Sequence, residues 1–479
     1  LNNPASMFGH TLIIIDTAYT NKRLSNAVNY AASTEGRDGI ALAVSGLTGL
    51  YRGYYSVMPY YKKIQEYSDI NQRDIWEYRL NLTRPELRRM VRHIREMDQI
   101  YSDYYFFDEN CSYNLLYLLE AARSSAHLVD RFRVAAIPVD TIKAVRAEGF
   151  IEDVDFRPAK TTRIAYLEGQ LTQEQLDTVR GLLDGKVSAR ELLDRRIAPA
   201  KKIRMLDLAV EVIQYRYVNK ELDQNDYRSQ LMDVLRARSR LGRPDKDWQD
   251  NIPVPRQPDR GHESKRASLG FGVKNGDAFY ELGLRPALTD LTDTDYIHNQ
   301  GAQIEFFDLR TRYYPESERL TLEQFDLVDI VSIVPVSAFS RPLSWKFNTG
   351  WQRKPLKTDD DASCYRVNGG AGLAGELFPA GLCYAMAEAE LDISGDLAAD
   401  YALGGGAAAG TVITAGDACK IHLYGRAMRF FAGGLHTEYT AGAVGNFRVS
   451  TNNHISLAAS HEDAGSKSWE VSAAWHWFF

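Results

Sequence analysis

The sequence predicts an α+β domain over residues 1–160, a helical connector over 161–263 and an antiparallel transmembrane β-barrel of about 12 strands over 264–479. Three observations lead there. Residues 264–479 are under half the chain yet hold 23 of the 35 glycines and five of the seven tryptophans. Within them the hydrophobic period becomes two, with Asn275-Gly276 between alternating runs as a type I′ hairpin signal. In the last strand Trp469, Val471, Ala473, Trp475, Trp477 and Phe479 share one face, while Ser468, Glu470, Ser472, Ala474 and His476 take the other.

In the first region, Phe8–Ile15 is a β-branched apolar run and reads as a buried strand carrying His10. Asp74–Leu82 alternates and reads as a second strand. Thr83-Arg84-Pro85-Glu86 then opens a helix as a capping box, with Leu87, Met90, Val91, Ile94 and Met97 as its apolar stripe. Asn110 caps a further helix through Leu115, Leu116, Leu118 and Leu119. In the connector, Thr172 opens one amphipathic helix and Ile203–Arg238 keeps helical spacing; Pro253, Pro255 and Pro258 mark a linker.

For the last region a soluble β-sandwich is the competitor, since it also alternates, with its apolar face inward. The barrel inverts this, apolar outward to lipid and polar inward. Glu305, Asp308, Arg310 and Arg312 fall at strand centres, as lumen residues would. The small residues of Gly369–Gly375 and Gly404–Gly410 suit backbones lining a crowded lumen. The terminal Trp-Phe-Phe resembles the C-terminal signal of bacterial outer-membrane barrels, which makes Phe479 the residue the barrel-assembly machinery would read.

Whole-chain averages point elsewhere and mislead. With 44 % apolar residues and no long apolar run, the chain looks like a soluble multidomain protein. A barrel strand exposes only every second residue to lipid, so its mean hydropathy stays low. The net charge of −6 removes a general case for nucleic acid, and four cysteines exclude a disulfide-built scaffold. Cys364 and Cys383, on successive barrel strands, could pair in an oxidising compartment, and Cys419 could replace either. Leu1-Asn2-Asn3-Pro4 runs straight into a strand, which suggests a removed targeting segment, more protein upstream, or both.

The chemistry concentrates in Tyr104-Tyr105-Phe106-Phe107-Asp108-Glu109-Asn110-Cys111-Ser112-Tyr113. Cys111 falls on the first turn of a helix, where free N–H groups and the helix dipole favour a thiolate. It is a nucleophile if a base lies within reach, and otherwise a small buried hydrophobe. His10 is the candidate base, or else a satisfied core histidine. A strand histidine with a helix-N-terminal cysteine is the papain-like arrangement, here with the histidine first, which is a circular permutation. Glu77, Asn29 and Tyr30 are candidates to orient the imidazole, and Asn110 or the helix N–H groups to hold an oxyanion. Tyr51, Tyr54 and Tyr60, with Tyr55 and Tyr61, read as the lip of a substrate groove or as packing under a long loop. Cys111 has no Cys or His at ligand spacing, so no metal is expected, and nothing calls for a cofactor.

The first region also resembles the Lnb N-terminal periplasmic domain family of Gram-negative bacteria, a permuted papain-like group. The resemblance rests on Ala5-Ser6-Met7-Phe8-Gly9-His10-Thr11, Gly46–Ser56, Pro59-Tyr60-Tyr61, Arg73–Tyr78 and Glu109–Tyr113, in that order over about residues 1–130. The Asn-Cys pair is also similar to that of the lecithin–retinol acyltransferase group. The family's named member is a lipoprotein N-acyltransferase, and the resemblance maps its nucleophile to Cys111 and its base to His10. That member carries transmembrane helices after the domain, whereas this chain carries a barrel, so reaction class transfers better than acceptor.

The expectation is therefore an outer-membrane-anchored periplasmic cysteine acyltransferase or hydrolase acting on membrane lipid or lipoprotein through a thioester. The alternatives are a peptidoglycan stem-peptide amidase or peptidase, and a non-enzymatic barrel with a plug or docking domain. A lumen packed with Glu281, Arg285, Asp308 and Arg310 would speak against a pore.

Overall fold

The computed structural model describes residues 9–16, 22–32, 49–242, 251–294, 301–356, 361–378 and 380–479. The motif segments 5–8 and 46–48 and the linker residues 245–250 lie outside the described residues. Two units result: Gly9–Pro255 with Ser337–Ser340, and Arg256–Val336 with Arg341–Phe479.

The first unit begins with β1 (Ile13–Ile15), β2 (Asn26–Ala32), β3 (Tyr51–Pro59) and α1 (Tyr60–Ile64), which runs on as a π-helix over Gln65–Ile70. There follow β4 (Ile75–Leu80), α2 (Arg84–Glu96), β5 (Tyr101–Tyr104), α3 (Cys111–Ala122), α4 (Pro138–Ala147) and β6 (Ile151–Arg157). Strands β1-β2-β3-β5 form an antiparallel sheet, and β4 pairs with β6 as a separate ribbon. Among the described residues of the apolar run, 9–15, only Ile13–Ile15 is strand, so His10 precedes β1 instead of sitting inside it.

Helix α2 starts as its sequence requires: Thr83 Oγ1 accepts from Glu86 N–H at 3.4 Å, and the Glu86 carboxylate accepts from Thr83 N–H at 2.7 Å. Helix α3 buries Leu115, Leu116, Leu118, Leu119 and Ala122 against Val28, Met90 and Phe150. Each fully buried leucine is worth roughly 1.5–3 kcal/mol over exposure. That packing holds the helix start beside the sheet. Five further helices, Lys160–Gly169, Gln173–Leu183, Ala189–Asp194, Pro199–Val218 and Gln224–Ser239, build a separate core around Leu167, Val179, Leu192, Leu206 and Val212.

The second unit is a closed antiparallel barrel. Its strand segments pair in sequence order from Arg266–Lys274 to Lys467–Phe478, and the last pairs back with the first, from Phe478 opposite Arg266 to Glu470 opposite Lys274. Ala287–Thr289 continues the line of Asp277–Arg285 against the same partner, so the barrel has twelve staves, as expected. Asn275 and Gly276 both take positive φ at 54° and 102°, the geometry of the hairpin their sequence announces.

The faces are inverted relative to a soluble sheet. Trp469, Val471, Trp475 and Trp477 are each about half exposed, at 48–54 %, while Ser468 and His476 at alternate positions are buried. The lumen is filled by ion pairs. Arg285 bonds Glu305 at 2.9 Å and Asp293 at 2.5 Å, and Arg312 bonds Glu281 at 2.8 Å and Glu470 at 2.7 Å. Glu390, Asp392 and Glu438 have the spacing of a metal cage, but Lys354 Nζ stands among them at 2.6, 2.5 and 3.0 Å. An ammonium already stands among these carboxylates, and Arg366 on Glu390 and Arg426 on Glu390 and Glu438 supply further positive charge.

Two expectations are corrected here. All four cysteines are free. Cys383 pairs in register with Gly375, eleven residues along the strand from Cys364, a separation of roughly 36 Å at about 3.3 Å per residue. No rotamer closes that gap. The small residues, moreover, do not all line the lumen. Gly372 and Gly406 are needed where an added Cβ would meet the Ala385 and Ala427 carbonyls at 1.9 and 2.0 Å. By contrast Ala385, Ala387, Ala407, Ala409, Ala427 and Ala441 border a shallow outward depression of about 750 Å³.

Candidate active site

Three sequence-predicted residues meet at the start of α3. Asn110 is the helix N-cap: its side-chain oxygen accepts from Ser112 N–H at 3.0 Å and Tyr113 N–H at 3.3 Å. This cap fixes Cys111 on the first helical residue, where the macrodipole favours negative charge. The Cys111 thiol hydrogen-bonds the His10 ring and receives the backbone N–H groups of Thr11 and Ser112. His10 Nε2 in turn donates to Asn29 Oδ1 at 2.6 Å. An amide oxygen only accepts, so Nε2 carries the proton and Nδ1 is the nitrogen left for the thiol. Asn29 itself is buried in β2.

The electrostatics follow from this packing. Burial works against the Cys111 thiolate, yet the His10 charge, its hydrogen bond and the two N–H groups outweigh burial and hold the thiol below its ordinary value. Burial likewise works against the His10 cation, and the Cys111 charge and the Asn29 bond raise the imidazole above its usual range. The two shifts have one cause: a thiolate–imidazolium pair held together.

Sequence reasoning missed the next neighbour. Tyr104, at the end of β5, accepts the Cys111 backbone N–H and hydrogen-bonds the thiol with its hydroxyl. Burial, then the Cys111 charge, keeps that phenol protonated far above its ordinary value. It is a neutral donor aimed at the sulfur. Its only sequence signal was its place in the aromatic run leading to Cys111.

Other candidates go elsewhere. Asn110 is not an oxyanion donor, because its NH₂ is committed to the Phe106 and Ala136 carbonyls at 3.1 and 2.6 Å. Glu77 does not orient His10; it accepts from the Tyr60 hydroxyl at 2.7 Å and pairs with Arg157 at 2.9 Å, tying the β4–β6 ribbon to α1. Tyr30 is buried with its hydroxyl on Ser102 at 2.6 Å. Of the groove tyrosines, Tyr51 and Tyr60 are buried, and Tyr54 packs on Tyr101 at 5.8 Å. A strand alternates its faces, so a run of tyrosines along β3 divides between core and surface.

Family models cover the chain in three parts: the Lnb N-terminal periplasmic domain at residues 1–148, and two domains of unknown function (DUF7842 and DUF7840) at 154–248 and 255–478. Residues 1–148 are an Lnb N-terminal periplasmic domain. This Lnb domain is fused here to an outer-membrane barrel, so the chain resides in the outer membrane with the Lnb domain in the periplasm. No curated protein matches the sequence. Solved structures similar to the barrel half include the KdgM porin in complex with disordered oligogalacturonate (7 % identity, 45 % of this chain and 99 % of that one, TM-score 0.27). Another is the NanC porin (6 %, 44 % and 99 %, 0.28), and a third the translocator domain of autotransporter NalP from Neisseria meningitidis (12 %, 46 % and 91 %, 0.25). The barrel of this chain rests on its own strand register, not on those similarities.

Proposed function

We propose that this protein is an outer-membrane-anchored periplasmic cysteine acyltransferase or hydrolase that acts on lipid or lipoprotein through a Cys111 thioester. The observation that carries the reading is the Cys111–His10–Asn29 chain of hydrogen bonds at a helix N-terminus, the constellation of a permuted papain-like site. The thiolate attacks an ester carbonyl, and its π electrons move onto the oxygen. Collapse expels the alcohol oxygen, which takes the His10 proton, and leaves a thioester. An amine or water then gives its proton to His10, attacks the thioester and restores the thiolate. The Tyr104 hydroxyl, which hydrogen-bonds Cys111, and the Thr11 and Ser112 N–H groups at the sulfur are the donors this reading assigns to the developing oxyanion.

The ion-paired lumen favours a membrane anchor over a pore. A stem-peptide amidase would use the same residues, so the test compares substrates. With labelled phospholipid, diacylated lipopeptide and stem peptide, a hydroxylamine-sensitive adduct on Cys111 is expected from the lipid substrates. Cys111→Ala and Cys111→Ser should lower turnover by at least about a thousandfold. Undiminished turnover in Cys111→Ala would remove the nucleophile assignment, and an adduct from stem peptide alone would favour the amidase.

A further inference from the structure

The first connector helix, Lys160–Gly169, begins without a cap of its own, because Ala159 at its start has no side-chain acceptor. Its acceptors come from a distant segment. Asp74 takes the Ala159 N–H at 2.7 Å and the Thr162 hydroxyl at 2.9 Å, and the Gln72 side-chain oxygen takes the Thr161 N–H at 3.1 Å. The same Gln72 amide donates to the Asp69 carbonyl, in the last turn of the π-helix Gln65–Ile70. Within that helix, buried Ser68 donates to the Pro158 carbonyl at 3.4 Å, and the Asp69 carboxylate pairs with Lys160 at 3.7 Å and Arg163 at 3.4 Å. Lys160 and Arg163 also pair with Glu211 of the helix Pro199–Val218, at 3.1 and 3.3 Å. Lys160 and Glu211 are buried, and breaking such a pair leaves an uncompensated charge, so the contact is specific. The connector therefore clamps one side of the π-helix.

The other side meets the catalytic pair. Tyr67 lies against the His10 ring, with centroids 5.7 Å apart and planes at 30°. Tyr67 and Asp69 are two residues apart, which on a helix puts them on roughly opposite faces. The π-helix itself is a rare geometry that recurs at functional sites. His10 needs such a wall, because it precedes β1 and lies outside the sheet's hydrogen-bond ladder. Asn29 on Nε2 and Cys111 on Nδ1 hold the imidazole by its edge and leave it free to tilt about that axis. An aromatic ring packed on the imidazole opposes the tilt. The charges that act most on His10 are those of Cys111 and Lys63. A neutral change in the connector clamp thus reaches His10 through position and not through charge.

We propose that Tyr67 is a positioning residue for His10, and that the connector, clamping the π-helix through Asp69, Gln72 and Asp74, holds Tyr67 in place and so sets how much of Cys111 stands as reactive thiolate. This rests on the cysteine–histidine reading of the site, and it makes the connector a working part of the catalytic unit.

The test uses the full-length protein in detergent and needs no lipid substrate. Alkylation of Cys111 by iodoacetamide is followed against pH by mass spectrometry of its peptide, and backbone hydrogen exchange is followed over residues 60–74. An ion-paired thiolate gives the rate profile a low-pH shoulder. Tyr67→Ala should lower the rate on that shoulder about two- to tenfold, and Tyr67→Phe, which keeps the ring, should stay close to the unmodified protein. Gln72→Ala, a neutral change, should speed exchange in the π-helix and lower the same rate about two- to threefold. Gln173→Ala, exposed on the next connector helix, should change neither. A Tyr67→Ala profile that superimposes on the unmodified one overturns the proposal while the nucleophile assignment stands. So does a loss in Tyr67→Phe as large as that in Tyr67→Ala, or an unchanged alkylation profile or unchanged exchange in Gln72→Ala. A shoulder absent from the unmodified protein is failure of the underlying ion pair and removes this role with it.

Discussion

Replacing Asn29 with alanine removes the acceptor that holds the His10 Nε2–H at 2.6 Å and leaves Cys111, Tyr104 and the helix cap in place. A hydrogen bond to a charged partner contributes about 1.5–3 kcal/mol. Asn29 bonds the imidazole in both its forms but strengthens the cation most, so its loss falls on the thiolate–imidazolium pair. Taken at face value, that energy lowers the population of the ion pair about ten- to a hundredfold at neutral pH, since about 1.4 kcal/mol is a factor of ten. The sign is fixed by the shifts: the Asn29 bond raises His10, so its removal lets the imidazolium deprotonate at lower pH. The neighbouring thiol then loses the charge that depresses it and ionises at higher pH. The pH–rate profile for alkylation of Cys111 by iodoacetamide should therefore lose its low-pH shoulder and shift to the alkaline side. Asn29→Asp keeps an acceptor and should retain the shoulder. Circular dichroism and the mobility of the folded barrel in unheated gels control for folding. A profile for Asn29→Ala that superimposes on the unmodified protein would refute the role assigned to this residue, and Asn29 would then be a structural amide.

Three further outcomes test the scaffold. Glu86 is held down at about 2 by its bond to Arg123 and then by the Thr83 N–H; a depressed carboxylate stabilises above its unfolded value, and the contribution is lost as pH falls from about 4.5 toward 2. Glu86→Gln should remove that part of the acid sensitivity of the Lnb domain and cost about 0.5–1 kcal/mol at neutral pH by removing the charge paired with Arg123, since a glutamine can still close the capping box as Gln175 does with Thr172, read from denaturant unfolding followed by circular dichroism. Lys354→Ala leaves Glu390, Asp392 and Glu438 without their shared ammonium and should destabilise the barrel by roughly 3–5 kcal/mol in urea titrations, whereas a conservative change at exposed Lys467 should do little. Val471→Arg places a cation on the lipid face near mid-strand and should cost about 2–4 kcal/mol in lipid vesicles, while equal stability would overturn the inside–outside assignment.

Local rules carried much of the fold in the sequence. Thr83 and Glu86 announced α2, Asn110 announced α3, and Asn275-Gly276 announced a hairpin, because caps and turns are short-range interactions whose partners are neighbours in the chain. The alternation of Trp469 to Phe479 gave the strand, and the charges at strand centres gave its unusual direction, since only a lumen accepts Arg285 or Arg312 where a soluble core would not. The same argument failed for the cysteines: spacing along the chain says nothing of register, and register put Cys364 and Cys383 far apart. It failed in part for the small residues too, because a run of Gly and Ala shows no alternation to tell lipid from lumen.

By itself the sequence determined a cysteine on the first turn of a capped helix, a histidine upstream, and a barrel turned inside out, all of which follow from local periodicity and capping. Only the tertiary structure chose Asn29 over Glu77 and Tyr30, because the choice depends on which strand faces the imidazole. Folding likewise turned Asn110 from oxyanion donor into pure cap and brought Tyr104 and Tyr67 to the site from separate elements. A side chain's role at the thiol is set by distances that close only when the sheet and helices pack, and no spacing along the chain encodes them.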